Sequence, residues 1–336
     1  MTALLQISTV SKRFIRRPNL GERIVHALGG VDATQTVHAV TDVSLEVAKG
    51  EVLGIVGESG CGKSTLGRMV AGIYMPSAGS VTLAGKPVAR ASGNATKKMT
   101  TRVQMIHQDP FASLNPRIKV GETLAEGPRH HLIVPRREVD GMVRELLDRV
   151  GLEPSYAGRL PHQFSGGQRQ RIAIARALAM RPELLVLDEA VASLDVSIQA
   201  QVLNLFLDLR QQLGLTALFI SHDLGVVRHV SDRVAIMYLG RVVELAPARQ
   251  IYETPQHPYT KALFTSIPVL GTGRRQFHPI KGEIPSPLDP PPGCAFHPRC
   301  PHAGPRCRVE VPVLSPTEPG HGVACHLHTG GVGGAA

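Results

Sequence analysis

Tryptophan is absent from the 336 residues, and aromatic side chains make up only 4%, too few to suggest platforms on which bases would stack. No block of five or more consecutive basic residues occurs, so nucleic acid is not expected as a partner. The net charge of +10, carried mostly by arginine, fits an anionic membrane surface or a polyanionic ligand. It fits basic residues scattered over solvated faces as readily. No apolar stretch approaches the ~20 residues of a membrane span, and no heptad repeat is sustained. The first residues lack a basic segment followed by a long apolar one, so the chain is expected to remain in the cytosol. Cysteine is scarce outside two places: Cys61 stands alone, and the other four crowd between 294 and 325. In a reducing compartment, four clustered thiols point to a metal more than to disulfides.

Glycine, by contrast, is placed with purpose. Residues Gly57, Glu58, Ser59, Gly60, Cys61, Gly62, Lys63, Ser64 and Thr65 form a complete G-x4-G-K-S phosphate loop. An apolar run at 52–56 feeds it as a strand, and a helix-compatible segment from Ser64 to Ile73 leaves it. The glycines let successive backbone N–H groups face anionic oxygens. Lys63 adds a full charge near the β and γ phosphates, Ser64 offers a hydroxyl to Mg²⁺, and the helix dipole aims its positive end at the same point. This pattern predicts binding of a nucleoside triphosphate.

The rest of the chain alternates strands and helices. Val40–Val47 alternates as a half-buried strand, after an unpatterned, glycine-containing stretch (16–39) that reads as a surface insertion. Ser80–Gly85 and Arg102–His107 read as strands, separated by a polar stretch from Arg90 to Thr101. Helices are predicted over 136–150, from Gly166 or Gly167 to Met180, and over an amphipathic stretch reaching Leu213. Leu184–Asp188 and Ala217–Ser221 are continuous apolar runs, as expected of strands buried on both faces. The alternation predicts an α/β fold with a mainly parallel sheet, in a chain long enough for two domains. Seven prolines in 268–293 mark an irregular connection, and Thr329–Ala336 is a glycine-rich tail expected to be disordered.

Turnover needs more than a phosphate loop. Asp188, ending an apolar run, suits the Mg²⁺ side, and Glu189 could polarise the attacking water. The plainer reading of that pair is a helix-capping acidic dipeptide. His222, after another buried strand, could hydrogen-bond a terminal phosphate, although such a residue alone is more often a cap or a surface histidine. Phe164-Ser165-Gly166-Gly167-Gln168 then opens a helix at a glycine-flanked N-terminus able to present amides and a hydroxyl to phosphate.

Taken in order, these residues resemble the ATP-binding cassette (ABC) family over roughly 3–265. The resemblance implies a P-loop NTPase core with an antiparallel β subdomain and a helical subdomain at about 109–180, spanning 1–265. A cysteine-rich extension (266–336) would follow. It implies ATP and Mg²⁺ as ligands, with Ser64, Gln108 and Asp188 on the metal. Glu189 and His222 would be catalytic, Asp195 would lie in the loop that crosses the dimer, and Phe14 would stack on adenine. Ser165 to Gln168 would serve the ATP bound to a partner's phosphate loop. Phe164 stands where the family usually has leucine, and Phe14 lacks the hydroxyl of the more common tyrosine.

Three stretches (108–116, 188–199 and 256–263) and Pro291–Cys300 resemble the oligopeptide and dipeptide importer ATPases. The resemblance implies a peripheral subunit at the cytoplasmic face of the inner membrane, powering peptide import with two transmembrane permeases and a solute-binding protein. Gln168 resembles one of the two paralogous ATPases of that branch, which implies a heterodimer. Importers of nickel or glutathione belong to the same branch, and cassette proteins of translation or DNA repair are rivals. The former of these rivals commonly carry two cassettes, and the latter long coiled coils. Cys294, Cys300, Cys307 and Cys325 suit a [4Fe–4S] cluster or tetrahedral Zn²⁺, the latter with help from His297, His302 or His326, or remain free thiols. Members of this branch resemble iron–sulfur proteins in that segment, which favours the cluster, with a structural role.

Overall fold

The computed structural model describes residues 3–16, 35–93, 95–109, 113–265 and 282–328. The tail, most of the insertion and the first part of the proline-rich connection lie outside them.

Two sheets sandwich the helix that leaves the phosphate loop. The smaller is antiparallel, in the order β2-β1-β4-β5, from Ala3–Arg16 (β1), Gln35–Ala48 (β2), Ala78–Leu83 (β4) and Lys86–Pro87 (β5). Leu5, Ile7, Val43 and Leu45 turn inward from it. They meet Leu66 and Met69 of helix α1 (Lys63–Val70), whose other side rests on Ile55, Val186 and Ile220 of the larger sheet. Residues 35–39, read in sequence as part of an insertion, pair with the end of β1. Their side chains are exposed or half-buried, so no apolar alternation marks them.

The larger sheet has eight strands in the order β13-β14-β12-β11-β3-β10-β9-β8. Its parallel part comprises Val52–Val56 (β3), Val103–Ile106 (β8), Leu184–Asp188 (β9), Thr216–Ile220 (β10) and Arg233–Tyr238 (β11). Strands β3, β9 and β10 are buried along their whole length, which is why their sequences are unbroken apolar runs. The C-terminal ends of these three strands point the same way, and the chemistry gathers there. Arg241–Pro247 (β12) returns antiparallel through a turn at Leu239 and Gly240, both with positive φ (43° and 78°). A separate hairpin, Ala89–Ser92 (β6) with Ala95–Lys98 (β7), occupies most of the stretch read from sequence as polar.

Three helices form a layer of their own: α2 (Val120–His130), α3 (Val139–Arg149) and α4 (Gly166–Ala179). Val120, Leu124, Val143, Leu147 and Ile172 make its interior. Helix α5 (Val196–Leu213) follows β9 and buries Val202, Leu203, Phe206 and Leu209; of the stripe expected from sequence (Val202, Leu205, Phe206, Leu209 and Leu213), Leu205 is half-buried and Leu213 exposed.

The cysteine-rich extension is stitched to the core. Its strands Ser315–Glu318 (β13) and His321–Val323 (β14) add to the edge at β12. Glu244 of β12 and His321 of β14 are fully buried and hydrogen-bonded at 2.7 Å, and Glu244 also accepts the N–H groups of Gln256 and His257. Breaking such a pair leaves an uncompensated charge indoors, so it fixes β14 against its neighbour.

Candidate functional site

Backbone geometry builds the phosphate loop before any side chain acts. A Cβ on Gly57 would sit 2.2 Å from the Met237 carbonyl oxygen, and one on Gly62 only 2.1 Å from that of Ala39. Gly62 also has φ 103°, a conformation that side chains disfavour. Lys63 is buried and donates to the carbonyl oxygens of Gly57 (2.8 Å) and Glu58 (3.0 Å), which hold its ammonium across the mouth of its own loop. Burial pushes the Cys61 thiol up, against the pull of Lys63, so this cysteine stays a neutral packing group.

Strand ends bring the acidic and imidazole groups to the same place. Asp188 is buried and accepts a 2.7 Å hydrogen bond from the Ser64 hydroxyl. Burial raises its carboxyl from the ordinary value, against the hydroxyl and the nearby Arg68 charge, which pull it down. A hydroxyl and a carboxylate so paired form a ready hard-oxygen corner for Mg²⁺. Next along the chain, Glu189 has φ 50°, a left-handed conformation unusual for a residue with a side chain and often found at functional positions. Its carboxylate accepts from Gln108 Nε2 at 3.0 Å and lies 3.4 Å from His222 Nδ1. Five residues separated by up to 158 positions thereby meet: Ser64, Gln108, Asp188, Glu189 and His222. His107, beside this group, has its imidazole lowered by burial, although the Asp188 charge opposes that shift.

Ser165 to Gln168 keep to themselves. The Ser165 hydroxyl accepts from the Gln168 N–H at 3.3 Å, and the Gln168 side chain accepts from the Ser165 N–H at 3.0 Å, a reciprocal helix cap. Phe164 anchors the cap in the core, while Ser165 is exposed. Gly167 is required by packing, since a Cβ there would meet Ile198 at 2.3 Å. Asp195 is exposed at the start of α5. Among the described residues, no hydrogen bond joins the Ser165–Gln168 cap to the phosphate loop.

Phe14 lies on β1, 37% exposed, with its ring edge-on to Tyr74 at 5.5 Å and Lys12 Nζ 5.1 Å from its centroid. Sequence reasoning missed Tyr74 and Lys12, which give this ring an aromatic and cationic setting. A cleft of about 1020 Å³ lies elsewhere, lined by Met105, Leu124, His131, Arg176 and Met180 between β8 and the helical layer. It shares no residue with the phosphate loop.

The four clustered cysteines are free thiols within one small region. Burial pushes Cys294 up to about 11, with a further rise from the charges of Cys307, Cys325 and Cys300. Cys300 and Cys325 are raised in the same manner, by burial first and by neighbouring thiols after it. Among the described residues, no three His, Cys, Asp or Glu side chains gather closely enough to hold a metal ion. No helix among them is long and apolar enough to cross a membrane.

Comparison with known proteins places these features in context. The "ABC transporter" family model matches residues 40–192, and the model for the "Oligopeptide/dipeptide transporter, C-terminal region" matches 243–307. The chain is 49% identical over 330 residues to the oligopeptide transport ATP-binding protein AppF of Bacillus subtilis, covering 97% of this chain and 98% of that one. It is 50% identical over 298 residues to the di/tripeptide transport ATP-binding protein DppF of Pseudomonas aeruginosa, covering 86% and 90%. Among solved structures it is similar to cbiO1 from Clostridium perfringens, part of the ABC transporter complex cbiONQ. That match has a TM-score of 0.59 and 26% identity, over 75% of this chain and 92% of the other.

Proposed function

The chain belongs to the ABC transporter family, and from that premise we propose that it is the ATP-hydrolysing subunit of an importer of di- and oligopeptides. The observation that carries the mechanism is a division. Ser64, Gln108, Asp188, Glu189 and His222 meet around the phosphate loop, whereas among the described residues the side-chain hydrogen bonds of Ser165 and Gln168 stay within their own helix cap. Each chain thus offers half of two sites. One half holds ATP on the amides of residues 57–65, and the exposed Ser165 cap is available to the triphosphate of a second cassette. Closure over two ATP molecules would join the halves, and cleavage would part them.

Within one half, Lys63 moves from its loop carbonyls to the β and γ phosphates. Ser64, Asp188 and Gln108 suit Mg²⁺, which when bound neutralises charge on the phosphates. Glu189 orients a water for in-line attack on the γ phosphorus, and His222 holds the far side of that phosphate. Asp195 lies in position to meet the second cassette, and Phe14 with Tyr74 receives the adenine ring.

The test is Glu189→Gln in the assembled transporter. ATP binding should persist while turnover falls about 1000-fold, since an amide cannot accept the water's proton. Turnover at the wild-type rate would remove Glu189 from the mechanism.

We propose the remaining assignments from the sequence motifs. The second cassette is a paralogous ATPase, so that a heterodimer sits under two permeases at the cytoplasmic face, supplied by a solute-binding protein. The cleft between β8 and the helical layer is the surface offered to the permeases. Residues 1–265 make up the cassette, and 266–336 the extension. The extension's four cysteines would hold a [4Fe–4S] cluster as a structural clip by closing up from the positions described above: the thiols lie within one another's field, with the Glu244 carboxylate acting on Cys325, and form a mainly soft donor set. Anaerobically purified protein should be brown with about four iron atoms per chain. A colourless protein loaded with zinc would contradict the cluster.

A further inference from the structure

A phosphate loop that carries a carboxylate works against its own ligand. Glu58, the second residue of the loop, bears a full negative charge at a place built to receive a polyanion. Like charges a few ångströms apart near a protein surface repel strongly enough to matter for nucleotide affinity. The Glu58 carboxylate is held by Arg299, which comes from the cysteine-rich extension 241 positions away. Arg299 Nη1 donates to one oxygen at 2.8 Å, and Nη2 donates to the other at 3.2 Å. The arginine side chain is 5% exposed and the glutamate 22%, so solvent screens the pair little.

The surroundings make this contact a fixture. Tyr238, Tyr259 and Phe296 pack ring on ring, with centroids 4.7–5.4 Å apart. Phe296 belongs to the extension and Tyr238 ends β11, while the Tyr259 hydroxyl accepts the Glu58 N–H at 3.0 Å. Arg299 also reaches the Tyr238 hydroxyl at 3.5 Å. Glu58 is therefore gripped by its N–H and its carboxylate, while its carbonyl receives Lys63. Arg299 directly precedes Cys300, so whatever fixes that thiol also steadies the backbone from which the guanidinium reaches.

We propose that Arg299 is a positioning residue for nucleotide binding: it neutralises Glu58 and draws its carboxylate away from the phosphates and from Lys63. Without it, an unpaired carboxylate beside the loop both repels the triphosphate and competes with it for the lysine. The extension, whose ligand is a separate matter, thereby sets the affinity of the phosphate loop. This inference rests on the reading of residues 57–65 as the ATP site.

The test is a fluorescence titration of the full-length chain with a mant-labelled ATP and Mg²⁺. It uses the wild type, Arg299→Met, Glu58→Gln, the double variant and a Lys63→Ala control. Arg299→Met should raise Kd about 10-fold, corresponding to about 1.4 kcal/mol. Glu58→Gln is its own reference, and in that background adding Arg299→Met should change Kd by no more than about 3-fold. A merely structural arginine would not be rescued by removing the glutamate charge. Arg299→Met within 2-fold of wild type, or an Arg299→Met effect just as large in the Glu58→Gln background, would overturn the proposal. Should Arg299→Met fail to fold, Arg299→Lys serves instead: it keeps the charge but loses the fork, and should give a rise of about 3-fold that Glu58→Gln again reverses. No rise, or no reversal, overturns the proposal in that form too. If Lys63→Ala also leaves affinity intact, the ATP-site reading itself fails. If only Lys63→Ala weakens binding, the proposal fails and that reading stands.

Discussion

The two glycine-rich helix starts of this chain have the same local physics and opposite surroundings. At Gly62 the loop is ringed by strand ends, and a hydroxyl, two carboxylates, an amide and an imidazole meet beside it. At Ser165 the cap closes on itself, with its serine exposed and its neighbours devoted to packing. The first start has reactive partners within its own chain. The second has the anion-binding geometry without them. On the proposed reading, the second start is an anion site that a nucleotide on another cassette completes.

The comparison can be sharpened from the side of the phosphate loop. Lys63→Ala in the isolated chain should weaken nucleotide binding about 100-fold, as loss of a charge-assisted phosphate contact would. Equilibrium titration measures this directly, and a change under 3-fold would deny the loop its special status. A smaller effect is expected from Asp188→Asn. Burial raises the Asp188 carboxyl in the folded chain, so the folded state holds its proton to higher pH than the unfolded one does. Stability is therefore lost as pH rises from the ordinary value of 3.8 through the folded value, and the full penalty is present at neutral pH. Asp188→Asn should raise the Tm of the nucleotide-free chain by about 1–3 °C at pH 7.5, and the gain should vanish in acid. A lowered Tm at neutral pH would mean that the Ser64 hydrogen bond outweighs burial. The expected rise would sharpen the contrast with the Ser165 cap, which contains no carboxylate.

Much of this was legible before any coordinates. Strands β3, β9 and β10 are buried on both faces, so their apolar runs announce them, and their ends carry the loop, Asp188 and the approach to His222. The Ser165–Gln168 cap follows from local spacing alone. Strand β1 was hidden because its register slips near Ile7 and Val10 and again at Lys12, which breaks the two-residue alternation. Helix α2 was hidden by Pro128 and by glycines within its span. The hairpin at 89–98 is largely exposed, so no pattern of burial is imprinted on its sequence. Arg299 could have been sought from one clue: an acid inside a phosphate loop calls for a cation. Nothing in the sequence says that the cation lies 241 positions on, because that contact is made by the tertiary packing of the aromatic cluster around Tyr259.

One substitution separates the two helix starts most directly. Ser165→Arg adds bulk and charge to the exposed cap and leaves the phosphate loop of its own chain untouched. If ATP is gripped between cassettes, the isolated chain carrying Ser165→Arg should bind mant-ATP within about 2-fold of wild type, while the assembled transporter loses turnover about 100-fold. A variant whose isolated chain binds nucleotide as poorly as Lys63→Ala, or whose assembled transporter turns over ATP normally, would contradict the shared site.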